Sequence, residues 1–456
     1  MKIRYYLALW IAKLSIIALK ITGHNGTNFP GVVALKICPE FLKYSNMPEK
    51  IIGITGTNGK TTIANLLVDM LHKDGKEVMQ NNMGSNTIYG IITSLIYGVN
   101  VLGKCKCDTA VIEIDERSSR LLFSSFQPDY LLINNLTRDS IMRNGHPEFI
   151  SGLLSKHMPS KTRLILNGDD LIASSVAPDN ERVYFGIDRM DTDVDKCINL
   201  INDMQICPKC GNMLSYEYLR YHHIGKAYCS NCGFKSPECD YLAHNVDTGN
   251  MTVEVSYKDE NKQYKLLNDS VFKIYNVVAV VAVMREIGYA ADRIAELLEQ
   301  VNIVQSRYSV IESGEYRVIR QMSKDKNALG ASRVFDYISH QPNKKEIILM
   351  MNCLDDQVHW SENVCWLYDA DFEFLNNELI SNIVCTGPRC KDYYLRLKMA
   401  GISDDRISLV ETETSTPSAL KLDSPEDVYV LFGTDSIELA EKVAGLIDEE
   451  IKERGK

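Results

Sequence analysis

The run Gly53-Ile54-Thr55-Gly56-Thr57-Asn58-Gly59-Lys60-Thr61-Thr62 holds the residue types that grip a triphosphate. Gly56 and Gly59 let the backbone curl until successive amides point inward, and the helix that must follow adds partial positive charge at its start. Lys60 then reaches the terminal phosphates and Thr61 is placed to ligate magnesium, with Thr57, Asn58 and Thr62 completing the cradle. The spacing departs from GxxxxGK[ST], because Ile54 takes the first glycine position and the glycine sits one residue earlier, at Gly53. A second pattern pairs Cys207-Pro208-Lys209-Cys210 with Cys229-Ser230-Asn231-Cys232, 18 residues lying between, and a glycine (Gly211, Gly233) follows each pair. Each CxxCG turn aims two thiolates at one ion, so the four cysteines close a tetrahedral zinc site with no position left for catalysis. That zinc is structural, and His222, His223 and Cys239 are surface and packing residues.

A phosphate loop must lie between a strand and a helix, and the surrounding chain has that rhythm. Ile51 to Thr55, Ala110 to Ile114, Tyr130 to Asn134 and Arg163 to Leu166 read as strands, and Thr61 to Asp74 as a helix. Short apolar runs alternating with helices imply a parallel, doubly wound α/β sheet. The rhythm fails between Asp188 and Asp203, where a Cys- and Tyr-rich insertion begins. Helices return at Ile274 to Ile287 and Ala291 to Gln300, and a second α/β series follows, with strands at Ile347 to Met351, Ile383 to Thr386, Arg406 to Val410 and Val428 to Phe432. The expected domains are residues 1–47 (an amphipathic helix and loop), 48–304 (a nucleotide-binding body with a ribbon at about 204–240) and 305–456 (a second Rossmann-like domain).

Composition supports that division and narrows the partners. At 456 residues, two or three domains fit. A net charge of −10 gives no general attraction to nucleic acid, and Lys209, Arg220, Lys226 and Lys235 around the ribbon are a thin basic footprint. Thirteen cysteines, four of them in CxxC pairs, point to a reducing compartment. At the N-terminus, Leu7, Trp10, Ile11, Leu14, Ile17 and Ala18 recur at helical spacing. Arg4 and Lys13 interrupt the apolar run well short of the roughly 20 residues a membrane span needs. This face is expected to pack on the protein's own body, with at most peripheral membrane contact.

The stretch Gly56 to Thr62, GTNGKTT, resembles the phosphate loop of the Mur ligase superfamily. Ala110 to Glu116 is similar to the strand whose Glu binds a second magnesium there, which implies that role for Glu113. Asn167-Gly168-Asp169-Asp170 looks like the family's NADD turn. Tyr275-Asn276 matches its asparagine near the adenine, and Arg307 its arginine on the terminal phosphate. A zinc ribbon inside such a body resembles one branch, the ligase-like subunits of lipid II isoglutaminyl synthases. Trp366 to Glu373 is similar to that branch's SWIYDADFE stretch, and Lys326 to Gly330 to its KNPAG turn.

The resemblance implies amidation of the α-carboxyl of D-glutamate in the lipid II stem peptide, driven by ATP and Mg2+ through an acyl phosphate. The enzyme would be cytoplasmic, working at the inner face of the membrane. Its ammonia would come from a GatD-type glutaminase in a heterodimer, and no G-x-C-x-G glutaminase elbow occurs in this chain. In the branch, an Asp of the C-terminal domain completes the glutaminase triad; Asp355 and Asp356 both qualify, Asp356 being preferred. Ser140 replaces a magnesium-binding histidine of many Mur ligases, Met83 a Glu, and Lys273 an asparagine. The alternative is an autonomous Mur- or folate-type ligase that joins an amino acid to a carboxylate.

Overall fold

The computed structural model describes residues 2–24, 26–81, 86–138, 146–301, 308–323, 327–351 and 364–454. Two compact units result: the first takes the described residues up to Val301 except Arg138 and Asn199–Ile201, and the second takes those exceptions and everything from Tyr308 onward.

The strands of the first unit are β1 Lys50–Thr55, β2 Val78–Gln80, β3 Thr109–Glu113, β4 Tyr130–Ile133, β5 Arg163–Asn167, β6 Arg182–Ile187, β7 Ser215–Tyr221, β8 Ile224–Tyr228, β9 Tyr241–Asp247, β10 Thr252–Tyr257 and β11 Glu260–Lys265. Nine of them form one sheet in the order β2-β3-β1-β4-β5-β6-β9-β10-β11. It is parallel from β2 to β9 and ends in the antiparallel meander β9-β10-β11. The strands β1, β3, β4 and β5 are buried almost throughout, as a parallel sheet covered on both faces requires. The helix Val271–Glu286 is buried continuously from Ile274 to Met284, so its apolar residues occupy every side rather than a stripe.

From β1 the chain winds outward to β2 and β3 on one side and to β4, β5 and β6 on the other. Ile54 lies opposite Glu113 and Thr55 opposite Ile133, so the carboxyl ends of these strands sit side by side. A sheet whose order reverses at β1 opens a crevice at that edge, where ligands of such folds bind.

The expected strands and helices of this unit form. The meander from Tyr241 to Lys265 is an addition, because Glu260–Lys265 is a mostly polar edge strand without an apolar signature. The N-terminal helix Lys2–Ile21 corrects the expected packing. Its buried residues are Tyr5, Ala8, Leu9, Ala12 and Ile16, whereas Leu7, Trp10, Ile11, Leu14 and Ile17 are exposed. Small side chains at Ala8 and Ala12 let the neighbouring helix Phe29–Ile37 come close, and close approach decides the buried face.

The second unit holds β12 Tyr308–Ser313, β13 Tyr316–Met322, β14 Lys345–Met350, β15 Ile380–Thr386, β16 Ile407–Val410 and β17 Asp427–Phe432, in the order β12-β13-β17-β14-β15-β16. Among the described residues of this unit, only β12 and β13 pair antiparallel. One face buries Phe335, Phe372 and Tyr393, the other Val443, Ala444 and Ile447. The Trp366 to Glu373 stretch has a structural explanation here. Buried Arg396 donates to the carbonyls of Leu367 and Ala370 at 2.9 and 2.8 Å and to the Glu373 carboxylate at 2.7 Å.

Candidate functional site

The phosphate loop closes β1 and opens the helix Lys60–Lys73. Gly56 and Gly59 have φ of 128° and 93°, a region that L side chains rarely adopt. A Cβ at Gly59 would stand 2.5 Å from Asn134 Nδ2 and 2.5 Å from Asn276 Oδ1. Gly59→Ala is therefore expected to weaken ATP binding at least tenfold and to cost about 1–2 kcal/mol from backbone conformation alone. Nucleotide titration and thermal unfolding of the variant check both.

The loop is pinned by the end of β4. Asn135 Oδ1 accepts from Asn58 N at 2.8 Å, while the amides of Asn134 and Asn135 donate to Asn58 O at 3.0 and 3.1 Å. Asn276, on the buried helix, accepts from Asn134 at 3.2 Å, which brings it against the loop beside Gly59. Asn134 and Asn135 were not anticipated; an Asn-Asn pair ending an apolar strand at the carboxyl edge is the signal that could have revealed them.

Thr61 Oγ1 donates to Glu113 Oε2 at 2.9 Å, and Asn86 donates to the other oxygen of that carboxylate at 3.2 Å. A hydroxyl and a carboxylate converging beside a phosphate loop are the hard oxygen donors that magnesium takes, so the residues fit that ion. Lys60 is occupied differently from expectation. Its Nζ donates to Glu116 Oε1 at 2.8 Å and to Gly56 O, and the same carboxylate oxygen accepts from Gly56 N at 3.0 Å. Glu116 is 1% exposed. It returns to the loop because Asp115 caps the single helical turn Glu116–Ser118, accepting from Arg117 N and Ser118 N.

Asn167 to Asp170 is a structural turn. Asn167 donates to Asn134 O at 3.0 Å, and Asp170 accepts from Leu136 N at 2.7 Å while capping the helix Leu171–Ser174. Asp169 is buried with Arg220 Nη1 at 3.1 Å and Tyr275 OH at 2.7 Å. Arg220 thus belongs to no basic surface. It is 7% exposed and forks onto Asp193 at 3.0 and 2.7 Å. His222 and His223 are buried too rather than at the surface, His223 lying 3.3 Å from Asp170.

The hairpin β7-β8 carries the two CxxC turns. Gly211 and Gly233 take φ of 75° and 71°, and each donates back to the first cysteine of its pair, Gly211 N to Cys207 O at 2.9 Å and Gly233 N to Cys229 O at 3.0 Å. The four Sγ atoms lie within 4.8 Å of one another, with Cys207–Cys232 at 3.7 Å and Cys210–Cys229 at 3.6 Å. Thiolates about 2.3 Å from a tetrahedral zinc are about 3.8 Å apart, so the cluster fits a metal ion. The same separations are too long for disulfides. Hydrogen bonds from the Asn212 side chain and backbone hold the Cys210 thiol down at about 6, which favours the thiolate. Burial pushes the Cys239 thiol up, consistent with a packing role.

Arg307, Asp355 and Asp356 lie outside the described residues, as do Met83, Ser140 and Lys326.

Residues 54–206 match the Mur ligase middle domain and residues 325–434 the MurT ligase C-terminal domain. The chain is 29% identical over 403 residues to the lipid II isoglutaminyl synthase (glutamine-hydrolyzing) subunit MurT of Staphylococcus aureus (strain COL), covering 88% of this chain and 89% of that one. It is 28% identical over 397 residues to the subunit of the same name from Streptococcus pneumoniae (strain R6), covering 86% and 85%. Among solved structures it is similar to a pseudomurein peptide ligase type C from Methanothermus fervidus, with a TM-score of 0.64 at 21% identity over 92% of this chain and 81% of that one. It is also similar to the MurF ligase of Thermotoga maritima in complex with ADP, with a TM-score of 0.59 at 16% identity over 93% and 85%. The fold is thus Mur ligase-like.

Proposed function

We propose that this chain, an ATP-dependent ligase that joins a Mur ligase middle domain to a MurT-type C-terminal domain, amidates the α-carboxyl of D-glutamate in the lipid II stem peptide, giving D-isoglutamine. The observation that carries this reading is the likeness, along nearly the whole chain, to subunits named for that reaction.

A carboxylate is a poor electrophile, so the chemistry needs activation. A substrate carboxylate oxygen attacks the γ-phosphorus of ATP, ADP leaves, and an acyl phosphate forms. Ammonia attacks the acyl carbon, inorganic phosphate leaves, a proton is lost, and the amide remains. Gly56 to Thr62 cradle the phosphates through backbone amides, and Lys60 and Arg307 offset the charge that builds there. Asn276 braces the loop at Gly59. Thr61 and Glu113 would hold magnesium, which screens phosphate charge when bound. Zinc at Cys207, Cys210, Cys229 and Cys232 is structural.

The name of the relatives includes glutamine hydrolysis, and this chain has no glutaminase elbow. Ammonia therefore comes from a GatD-type partner, whose triad Asp356 or Asp355 completes. The work is done on the cytoplasmic side, at the inner membrane face.

The test co-expresses the chain with its glutaminase and follows conversion of a lipid II stem peptide to the amide by mass. Conversion should require ATP and glutamine. One of Asp356→Asn and Asp355→Asn should lower glutamine-driven turnover about a hundredfold or more and leave ammonia-driven turnover intact. If no amide forms with glutamine or free ammonia, but ADP is released when an amino acid is added, the chain is an autonomous ligase.

A further inference from the structure

The helix Lys2–Ile21 buries Tyr5, Ala8, Leu9, Ala12 and Ile16 and leaves a row of large apolar side chains outside. Leu7, Trp10, Leu14, Ile17 and Ile21 are 48, 48, 64, 55 and 80% exposed. At 3.6 residues per turn they form one stripe along the helix, on roughly the opposite side from Tyr5, Leu9, Ala12 and Ile16. A stripe this long exceeds the scattered apolar exposure of an ordinary surface and marks a site of interaction.

A neighbouring loop extends the stripe. Trp10 Nε1 donates to Val101 O at 2.8 Å, and Val101 and Leu102 are 61 and 70% exposed. Lys13 ties the two elements together by donating to the carbonyls of Ile96 and Val99 at 2.6 and 2.7 Å.

Charge identifies what covers this face. Residues 2–39 contain Lys2, Arg4, Lys13, Lys20 and Lys36 and no acid, and the loop beside them adds Lys104 and Lys106, in a chain of net charge −10. Lys2, Arg4 and Lys20 are exposed and flank the stripe on both sides. Lysine and arginine beside exposed Leu, Ile and Trp are the composition of a helix that lies in a membrane interface, apolar side chains in the acyl region and cations at the headgroups. A second copy of the same face is a poor occupant, since antiparallel pairing would bring Lys20 of one copy toward Lys2 and Arg4 of the other. No described helix is long and apolar enough to cross a membrane.

We infer that the exposed stripe of the helix Lys2–Ile21, together with Val101 and Leu102, docks on an anionic lipid bilayer surface with the helix in the interfacial plane. This does not rest on the amidation reading, because bilayer binding is measured without substrate.

The test sediments the full chain with vesicles of phosphatidylcholine alone and of phosphatidylcholine with phosphatidylglycerol. Binding should be confined to the anionic vesicles and weaken as salt rises. The exposed pair Leu14→Gln/Ile17→Gln should lower binding roughly tenfold or more, and Lys2→Gln or Arg4→Gln roughly fivefold each. Helix content by circular dichroism should be unchanged in all three variants, since none of these side chains is buried. Equal binding to both vesicle types, no binding to either, or wild-type binding by the Leu14→Gln/Ile17→Gln variant would overturn the inference. So would concentration-dependent self-association that this same variant abolishes.

Discussion

Lys60→Ala is expected to lower ATP-dependent turnover by about a hundred- to a thousandfold, the scale on which a preorganised donor to transition-state charge acts. A second effect follows from where the lysine sits. Its ammonium and the Glu116 carboxylate are 2.8 Å apart, with side chains only 12 and 2% exposed. Removing the cation leaves a buried carboxylate that still accepts from Gly56 N but has lost its counter-charge, a situation that costs about 3 kcal/mol or more. The variant should therefore be less stable as well as inactive. Lys60→Ala/Glu116→Gln separates the two effects: it should regain most of the lost melting temperature and none of the turnover. Glu116 also competes with nucleotide for Lys60, so ATP should protect the wild-type chain less against heat than a loop lysine without a counter-charge would allow. A double variant no more stable than Lys60→Ala would falsify the pairing.

Glu116 shows what the sequence does not disclose. Glycines, lysine and threonine between a strand and a helix carry their geometry with them, since the loop's conformation is local and the residues that permit it are adjacent. The same holds for the CxxCG turns, each closed by its own backbone hydrogen bond from a left-handed glycine. Glu116 is different: three residues past Glu113, it reads as one more solvated acid until the capped turn at Asp115 carries it back to Gly56. Asn134 and Asn135 act on the loop from 76 or 77 residues away, beyond the reach of any periodicity.

The N-terminal helix is the opposite case, in which the pattern was visible but its direction was not. Helical spacing identifies two faces of Lys2–Ile21. Which of them turns inward depends on whether Ala8 and Ala12 or Leu14 and Ile17 better fit the helix Phe29–Ile37, a question of shape that hydrophobicity does not answer.

Metal removal should have the largest effect on the first unit, because the ribbon is joined to the phosphate loop by a buried chain of polar contacts. Arg220 leaves β7 and meets Asp169 and Tyr275. Tyr275 precedes Asn276, which accepts from Asn134 beside Gly59, and Asn134 in turn holds Asn58. Without a metal the CxxC turns lose the centre that closes them, while β7 and β8 stay anchored to the first unit through Tyr218, Arg220 and Gly225. Chelation, or Cys207→Ser, is thus expected to abolish metal content, lower stability by several kcal/mol and raise the KM for ATP, read by metal analysis, thermal unfolding and nucleotide titration. Arg220→Met isolates the link between ribbon and loop. It keeps the four cysteines but strips the cation from Asp169 and Asp193, both nearly inaccessible, at a cost of about 3–5 kcal/mol. If the ribbon supports the nucleotide site through Arg220, the variant should hold its metal and still show the raised KM. A variant that keeps its metal and binds ATP as tightly as the wild type would make the ribbon an independent module.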